Sequence, residues 1–275
     1  MTSTSADLDA LSGAIRDAGP SIVAFSGGVD SALVLRVARD VLGGGAVALT
    51  TVGPTLPAEE EAEARRFGER LGVRHLFVES RELDNPDYAR NPTNRCYFCK
   101  TELYTLCHAE RDKLGLTSIL DGVNRDDLGD HRPGLTAANE NGIRHPLIEA
   151  GLGKEAVRAL CKELGIELWD KPSFACLGSR FPYGTTITAE RLTRLERCES
   201  LLRQLGLKGF RVRFHDTIAR LEVNVADLAR LVDPAVRARI VDGIKAEGFT
   251  YVTLDLEGYR TGSLNAGLAQ LGARD

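Results

Sequence analysis

A segment near the N-terminus combines the residue types that bind phosphate groups. It reads Ser26-Gly27-Gly28-Val29-Asp30-Ser31. Glycines let the backbone curl close to a phosphate, and the free N–H groups at a helix start point toward it. Ser26 and Ser31 can add hydroxyl donors, and Asp30 can help to hold a magnesium ion. The spacing is neither Walker A, which needs a following lysine, nor the dinucleotide pattern G-x-G-x-x-G. An ordinary turn whose Ser and Asp cap a helix is the alternative.

A second polar segment follows another apolar stretch further along the chain. It reads Asp121-Gly122-Val123-Asn124-Arg125-Asp126-Asp127. In a parallel sheet, groups at the carboxyl end of one strand face the same crevice as a loop that follows a neighbouring strand. We therefore predict that Gly122, Asn124 and Asp126 contribute to the nucleotide site, with a solvated acidic turn as the alternative.

Three of the six cysteines form a candidate ligand set. Cys96 and Cys99 make a C-x-x-C at the start of a predicted helix, and Cys176 lies in a segment rich in glycine and proline. A C-x-x-C serves zinc, redox chemistry and iron–sulfur clusters alike. Two thiolates from one turn and one from a distant loop can hold three irons of a cubane and leave the fourth iron open. Zinc would need a fourth ligand, which the spacing does not offer.

The other three cysteines are predicted to be small core residues. Cys107 shares a helix face with Cys99, but the intervening helix separates them by about 12 Å, too far for one cluster. Cys161 and Cys198 continue apolar stripes on their helices. Buried thiols of this kind behave as apolar side chains.

Two arginines alternate on a predicted strand of the C-terminal region. Arg211 and Arg213 should project from one face of that strand, because successive side chains point to opposite faces. Together they can grip a phosphate through charge-assisted hydrogen bonds. A solvated strand face is the alternative.

Strands that alternate with helices position these residues. Predicted strands cover 21–25, 46–52, 75–78 and 118–120, and predicted helices cover 32–42, 59–71 and 98–114. This order favours an α/β fold with a parallel sheet and flanking helices. Ligands of such sheets bind beyond the carboxyl ends of the strands, where the segment 26–31 falls.

The pattern changes after Pro172. A long helix, a hairpin and a final strand are predicted over 188–205, 210–214 with 221–225, and 251–256. This order predicts a smaller α+β domain. We expect an ATP-binding domain over 1–175 and a substrate-binding or oligomerisation domain over 176–275.

Composition restricts the class of protein. At 275 residues, the chain is long enough for two domains that each bury a core. A net charge of −4 with scattered basic residues argues against a nucleic-acid partner, although an acidic protein can still bind tRNA. The sequence shows neither a secretory signal nor an apolar run of about 18 residues. We therefore expect a cytoplasmic protein without a membrane anchor, whose cysteines stay reduced.

Together these motifs resemble the LarE family of pyridinium-biscarboxylate mononucleotide sulfur transferases. That family acts in nickel-pincer nucleotide cofactor biosynthesis, for lactate racemase, and belongs to the pyrophosphatase-loop ATPases, whose fold is like that of the adenine nucleotide alpha hydrolases. The resemblance covers nearly the whole chain and rests on five segments: 26–31, 91–100, 175–184, 211–213 and 255–262. The first segment alone is typical of the superfamily, and the later ones are typical of the family.

The resemblance implies an enzyme that uses ATP and Mg²⁺ to adenylate a carboxylate of a nicotinate-derived mononucleotide and then exchanges AMP for sulfur. One branch of the family uses a single cysteine, matching Cys176, as a sacrificial sulfur donor. This sequence adds Cys96 and Cys99 and so resembles the other branch, in which three cysteines hold a 4Fe-4S cluster with an extra sulfide. A sulfide on an open iron can be replaced in each turnover, whereas a cysteine sulfur is spent once.

The resemblance also implies roles for residues of the C-terminal half. Ser179 and Arg180, like the two arginines of the predicted strand, match positions that approach the mononucleotide phosphate. Glu199 and Glu222 match acidic residues used near a metal or at subunit contacts, with plain surface carboxylates as the alternative. A homo-oligomer is further implied, with a hexamer as the expected form, and the source of sulfide is left open.

Three other functions stay open at the level of sequence. A tRNA thiolase would join the same loop to a three-cysteine cluster, but such enzymes usually add zinc-binding cysteine pairs or basic RNA-binding domains. An amidotransferase-type synthetase would adenylate its substrate for attack by ammonia and use the cysteines for zinc. A nucleotide-sensing or scaffold protein with an inactive loop is disfavoured because Ser26, Asp30 and Ser31 are intact.

Overall fold

The computed structural model describes residues 3–129, 133–172 and 175–260. The chain divides into two compact units. The first consists of Met1–Tyr88 and Asn94–Pro172, and the second of Ala89–Thr93 and Ser173–Asp275. Thr261 and Gly262, the last residues of the final motif of the resemblance, lie outside the described residues.

Strands and helices alternate along the chain as far as β4, and three more helices follow before Pro172. In order, the elements are α1 (Ser3–Ala18), β1 (Ser21–Ala24), α2 (Val29–Leu42), β2 (Ala46–Val52), α3 (Ala58–Leu71), β3 (Arg74–Glu79), α4 (Pro86–Ala89), α5 (Arg95–Leu114), β4 (Ser118–Leu120), α6 (Pro133–Glu140), α7 (Pro146–Glu149) and α8 (Lys154–Glu163). The strands form one parallel sheet in the order β3-β2-β1-β4. The loop after β1 and the polar segment after β4 therefore begin at the same edge of the sheet.

Both faces of this sheet are apolar and covered by helices. Val23 and Ala48 belong to a core cluster with buried residues of α1, α2 and α8. Ile22 and Leu49, which point to the other face, pack with buried residues of α5. All of β1 is buried, as a central parallel strand requires. The predicted α/β fold, with a parallel sheet and flanking helices, is confirmed.

The second unit is smaller and combines helices with a mixed sheet. Its elements are α9 (Ala189–Gln204), β5 (Arg211–His215), β6 (Ile218–Glu222), α10 (Leu228–Val232), α11 (Pro234–Ala246) and β7 (Tyr251–Leu254). The strands lie in the order β5-β6-β7, with β5 antiparallel and β7 parallel to β6. The predicted α+β architecture is confirmed. No helix among the described residues is long and apolar enough to cross a membrane.

The second strand of the hairpin begins earlier than the predicted range 221–225. His215 pairs with Ile218, so only a two-residue turn joins β5 to β6. Asp216 in this turn has a positive φ of 50°, a conformation that Asp tolerates better than most residues. Val225 continues the apolar pattern beyond β6, although it is exposed. The predicted strand was therefore placed too far toward the C-terminus.

Candidate functional site

The predicted phosphate loop joins the end of β1 to the start of α2. Gly27 has a positive φ of 73°, and Gly28 directly precedes α2. The Ser31 hydroxyl donates to the carbonyl oxygen of Gly28 at 3.0 Å and lies 3.1 Å from the Ser26 hydroxyl. Among the described residues, no side chain caps the start of α2. The N–H groups of its first turn are therefore arranged as an anion site requires.

Gly122 brings the second polar segment against this loop. It directly follows β4, which pairs with β1. A Cβ atom at Gly122 would lie 2.6 Å from the backbone nitrogen of Ser31 and 2.9 Å from its Cα. Only glycine allows this approach. The structure thus brings together the two segments that the sequence places in one crevice.

Asp30 lies in the first turn of α2, and both of its carboxylate oxygens are engaged. Oδ1 accepts a hydrogen bond from Asn124 Nδ2 at 3.3 Å, and Oδ2 lies 2.5 Å from Lys154 Nζ. Asn124 is buried, and its own Oδ1 accepts from the N–H of Asp126, which fixes the orientation of the amide. The sequence analysis missed Lys154, which is 124 residues from Asp30. A signal existed, because a lysine in the first turn of a helix opposes the helix dipole.

Asp126 holds the start of α8. Its Oδ2 accepts a hydrogen bond from the backbone N–H of Lys154 at 2.7 Å. A Cβ atom at Gly153 would lie 2.7 Å from the carboxylate of Asp126, so the close approach requires glycine there. Direct contact between Asp126 and a nucleotide stays a prediction, and the structure gives this residue a positioning role.

A second lysine that sequence analysis missed ties the loop to α3. Lys171 Nζ donates to the carbonyl oxygen of Gly27 at 3.1 Å and to Glu60 at 2.7 Å, and it also pairs with Glu63. Arg158 of α8 donates to the carbonyl oxygen of Lys171 at 3.0 Å. Lys171 therefore stabilises the peptide of the loop that has a positive φ.

A buried carboxylate supports the backbone beside Gly122. Asp121 accepts a hydrogen bond from the Tyr104 hydroxyl at 3.0 Å, lies 2.7 Å from His145 Nδ1, and accepts from the N–H of Val123 at 3.1 Å. Burial raises the pKa of Tyr104 and the charge of Asp121 raises it further, so the phenol stays a donor. These contacts fix the chain on both sides of Gly122.

Exposure separates the cysteines into two groups. Cys96 is exposed, and Cys99 and Cys176 are partly exposed. Burial raises the pKa of each of the other three to about 12, so they remain protonated thiols: Cys107, Cys161 and Cys198. The prediction that these three are core residues is confirmed.

The accessible cysteines lie on two elements. Cys96 and Cys99 are near the start of α5, in the first unit. Among the described residues, no side chain caps that helix start. Cys176 directly precedes a short 3₁₀ helix, Leu177–Arg180, in the second unit.

Arg180 organises the loop that carries Cys176. Its side chain is only 1% exposed and binds Glu199 through two hydrogen bonds of 2.9 Å. The same guanidinium donates to the carbonyl oxygens of Ala175 and Cys176, at 2.5 and 3.0 Å, and to the Ser179 hydroxyl at 3.1 Å. Direct contact between Arg180 and a ligand stays a prediction, and the structure gives this side chain a positioning role.

A buried ion-pair network joins the small sheet to the same loop. Arg213 donates to the carbonyl oxygen of Ser179 at 2.7 Å and pairs with Glu222 at 2.8 Å. Arg220 pairs with the other oxygen of Glu222 at 3.0 Å. Glu222 and Glu199 are 1% and 2% exposed, so the interpretation of both as plain surface carboxylates is wrong. Both glutamates can be buried because they pair with arginines, and local sequence patterns do not reveal this pairing.

Arg211 lies on the same face of β5 as Arg213 and is less buried. Its guanidinium donates to the carbonyl oxygen of Phe210 at 2.7 Å and lies 4.9 Å from the centre of the Tyr259 ring. Burial lowers the pKa of Arg211, and the nearby charge of Arg180 lowers it further. Arg180, Arg211 and Arg213 thus outnumber the two glutamates that pair with them, and this leaves the net positive charge that a phosphate site needs.

Comparison with known proteins identifies the family. Over 259 residues, the chain is 39% identical to the pyridinium-3,5-bisthiocarboxylic acid mononucleotide synthase of Lactiplantibacillus plantarum, an alignment that covers 93% of this chain and 92% of that protein. The chain belongs to the LarE family. An uncharacterised protein of Synechocystis is 46% identical over 89% of this chain and 91% of its own length. Another from Methanocaldococcus jannaschii is 29% identical over 87% of this chain and 90% of its own length. No protein-family model matches the chain.

Membership of the LarE family makes the chain an enzyme, and it confirms the resemblance drawn from the motifs. Over residues 3–129, 133–172 and 175–260, no three His, Cys, Asp or Glu side chains are grouped as a metal site would require. The metal ligands that the sequence analysis names therefore stay predictions: Cys96, Cys99, Cys176, Asp30, Glu199 and Glu222.

Proposed function

We propose that the chain is an ATP-dependent sulfur transferase that acts on pyridinium-3,5-biscarboxylic acid mononucleotide. It adenylates a carboxylate of this substrate and replaces AMP with sulfur, which gives a thiocarboxylate. The synthase of L. plantarum supports the substrate class, because its name states the bisthiocarboxylic acid product.

The contact of Gly122 with the phosphate loop is the observation that carries the proposal. It combines the uncapped start of α2 with the segment that holds Asn124, and Asn124 contacts Asp30. Such a cradle suits a polyphosphate, whose charge the N–H groups stabilise. The Asp30 carboxylate is the group that would hold magnesium, since Mg²⁺ prefers oxygen ligands.

Two bond exchanges complete the proposed reaction. A carboxylate oxygen of the substrate attacks the α-phosphorus of ATP, the bond to the β-phosphate oxygen breaks, and pyrophosphate leaves. A sulfur nucleophile then attacks the acyl carbon, the bond from carbon to the AMP oxygen breaks, and AMP leaves. Repetition at the second carboxylate gives the bisthiocarboxylate.

The cationic face of the small sheet is proposed to bind the phosphate of the mononucleotide. Arg211 is the best placed of its arginines, because it is less buried than Arg213. Arg213 and Ser179 contribute through their mutual hydrogen bond, and Arg180 shapes the adjoining loop. Charge-assisted hydrogen bonds from arginine match the geometry of a phosphate.

The three accessible thiols are proposed to hold a 4Fe-4S cluster. Among the described cysteines, those that are not buried suit this role: Cys96, Cys99 and Cys176. When bound, such a cluster supplies an exchangeable sulfide at an iron that no protein thiolate occupies. The protein's own part is to present the thiolates and to hold the Cys176 loop through Arg180.

An anaerobic reaction with ATP, the biscarboxylate mononucleotide and sulfide tests the function. We expect AMP, pyrophosphate and a thiocarboxylate product, identified by mass spectrometry. Formation of ADP and phosphate, or AMP release that does not depend on the mononucleotide, would contradict the proposal. A thiolated tRNA product would instead favour a tRNA thiolase.

A further inference from the structure

A lysine ammonium lies at the end of a phosphate loop that has no lysine of its own. Lys154 Nζ is 2.5 Å from the carboxylate of Asp30, and Asp30 is in the first turn of the helix that follows the loop. An anion bound at this helix start lies beside both charges. Asp30 would repel this anion, so cations are needed there, and the Lys154 ammonium supplies one beside the magnesium ion proposed for Asp30.

We propose that Lys154 is a phosphate-contacting residue of the nucleotide site, which Asp30 holds in place until a polyphosphate binds. The ligand is the triphosphate of ATP or the departing pyrophosphate, not the base or the ribose. This inference rests on the proposed ATP-dependent function and extends its site to α8.

The backbone of Lys154 is fixed by the segment that supports the loop. The N–H of Lys154 donates to Asp126 at 2.7 Å, and Gly153 leaves room for that carboxylate. Asn124, two residues before Asp126, contacts the other oxygen of Asp30. One segment therefore sets the positions of both Asp30 and Lys154.

The ammonium of Lys154 is free to move between partners. The side chain is 32% exposed and that of Asp30 is 21% exposed, so solvent screens their ion pair. A partly exposed pair stabilises the fold little, whereas contacts to a phosphate are strong. The flexible stem of a lysine lets its head turn without a backbone shift.

Lys171 is less exposed than Lys154 and is held by two carboxylates. Its side chain is 14% exposed, and Glu60 and Glu63 both pair with it. Its ammonium also binds the carbonyl oxygen of Gly27. Two carboxylates hold this cation in a structural position, so Lys154 is the better candidate for contact with phosphate.

Lys154→Gln, Lys154→Arg and a matched control, Lys162→Gln, test the proposal. Lys162 lies on the same helix and is exposed, so its replacement makes the same change in charge. Dissociation constants for ATP, pyrophosphate and adenosine are measured by calorimetry, with magnesium and with EDTA, alongside melting temperatures. We expect Lys154→Gln to weaken the binding of ATP and of pyrophosphate about ten- to a hundred-fold, which is the effect of losing one charged contact. Lys154→Arg should recover part of this loss, and adenosine should bind as in the wild type.

Three results would overturn the proposal. Equal ATP affinities for Lys154→Gln and Lys162→Gln, with a wild type that binds ATP, would make the pair with Asp30 purely structural and leave the proposed function intact. An equal loss for adenosine and ATP would mean that the substitution distorts the whole site. A wild type that binds no ATP would refute the proposed function together with this inference.

Discussion

A Cβ atom on Gly122 would lie 2.6 Å from the backbone nitrogen of Ser31. The two residues are far apart in sequence and meet because β4 and β1 are neighbours in the sheet. Ser31 in turn binds the carbonyl oxygen of Gly28. A side chain at position 122 must therefore displace the phosphate loop.

Gly122→Ala should abolish or strongly weaken nucleotide binding, because a methyl group overlaps the backbone of Ser31. Gly129→Ala is the matched control, since a Cβ atom there meets nothing within 4 Å. ATP affinity is measured by calorimetry, and folding by circular dichroism. Equal ATP affinity in both variants would disprove the close packing of the two segments.

Arg211 and Arg213 should respond differently to replacement by alanine. Arg211→Ala should weaken binding of the mononucleotide by about 1.5–3 kcal/mol, which is the contribution of a charged hydrogen bond, and it should leave ATP binding unchanged. Arg213→Ala should also lower the stability by about 3 kcal/mol, because it breaks the buried pair with Glu222. Binding assays with each ligand and urea unfolding separate the two effects.

Arg197→Ala is the control for these arginines, since Arg197 forms an exposed pair with Glu247. It should change neither binding nor stability measurably. Parallel losses of ATP and mononucleotide in Arg211→Ala would contradict a separate phosphate site on β5.

The cysteines distinguish two sources of sulfur. If Cys96, Cys99 and Cys176 hold a cluster, alanine at any of them should remove iron, visible absorbance and repeated turnover together. Cys107→Ala is the control, because Cys107 is buried in the core, and it should lower stability and keep the iron. Iron and sulfide content under anaerobic conditions, with products counted per chain, are the measurements.

A sacrificial Cys176 predicts the opposite pattern. One chain then yields at most one sulfur, and reacted protein is lighter by one hydrogen sulfide. Dehydroalanine at position 176, with normal activity in Cys96→Ala, would rule out the cluster. Repeated turnover with added sulfide and no change in mass would rule out the sacrificial route.

His75 should make the first unit less stable in acid. It lies 2.8 Å from the Thr50 hydroxyl, and burial followed by the charge of Arg65 lowers its pKa from 6.5 to about 4. The imidazole of His75 therefore binds a proton more readily in the unfolded chain than in the folded one. The free energy of unfolding should fall as the pH drops from about 6.5 to about 4, by about 2 kcal/mol after allowance for partial exposure.

Chemical denaturation of the wild type and His75→Phe at several pH values isolates this contribution, because the other titrating groups are shared. The wild type should lose more stability than His75→Phe over this range. Parallel curves for the two proteins would show that His75 titrates normally.

Local patterns predicted the sheet of the first unit well. The predicted strand 46–52 matches β2 residue for residue, because an apolar run follows the three glycines that end at Gly45. The predicted helix 32–42 began late, since the last residues of the phosphate loop already form the first turn of α2. The sequence indicates that a helix starts at this loop, but it does not reveal that Val29 is already the first helical residue.

Contacts made by side chains outside these motifs could not be predicted from the sequence. Lys154 and Lys171 reach the loop across 124 and 144 residues, and neither belongs to a local motif. The burial of Glu199 likewise depends on Arg180, which precedes the helix of Glu199 in the sequence. These side chains were misread or missed because only the folded chain brings opposite charges together.

Release of pyrophosphate tests the central claim most directly. Wild type, Asp30→Ala and the control Asp40→Ala, whose exposed carboxylate lies on the same helix, are incubated with ATP and magnesium, with and without the biscarboxylate mononucleotide. The wild type and Asp40→Ala should release pyrophosphate only when the mononucleotide is present, and Asp30→Ala should stay folded and release none. Near-native release by Asp30→Ala, or none from the wild type with both substrates, would contradict the assignment of the loop to ATP.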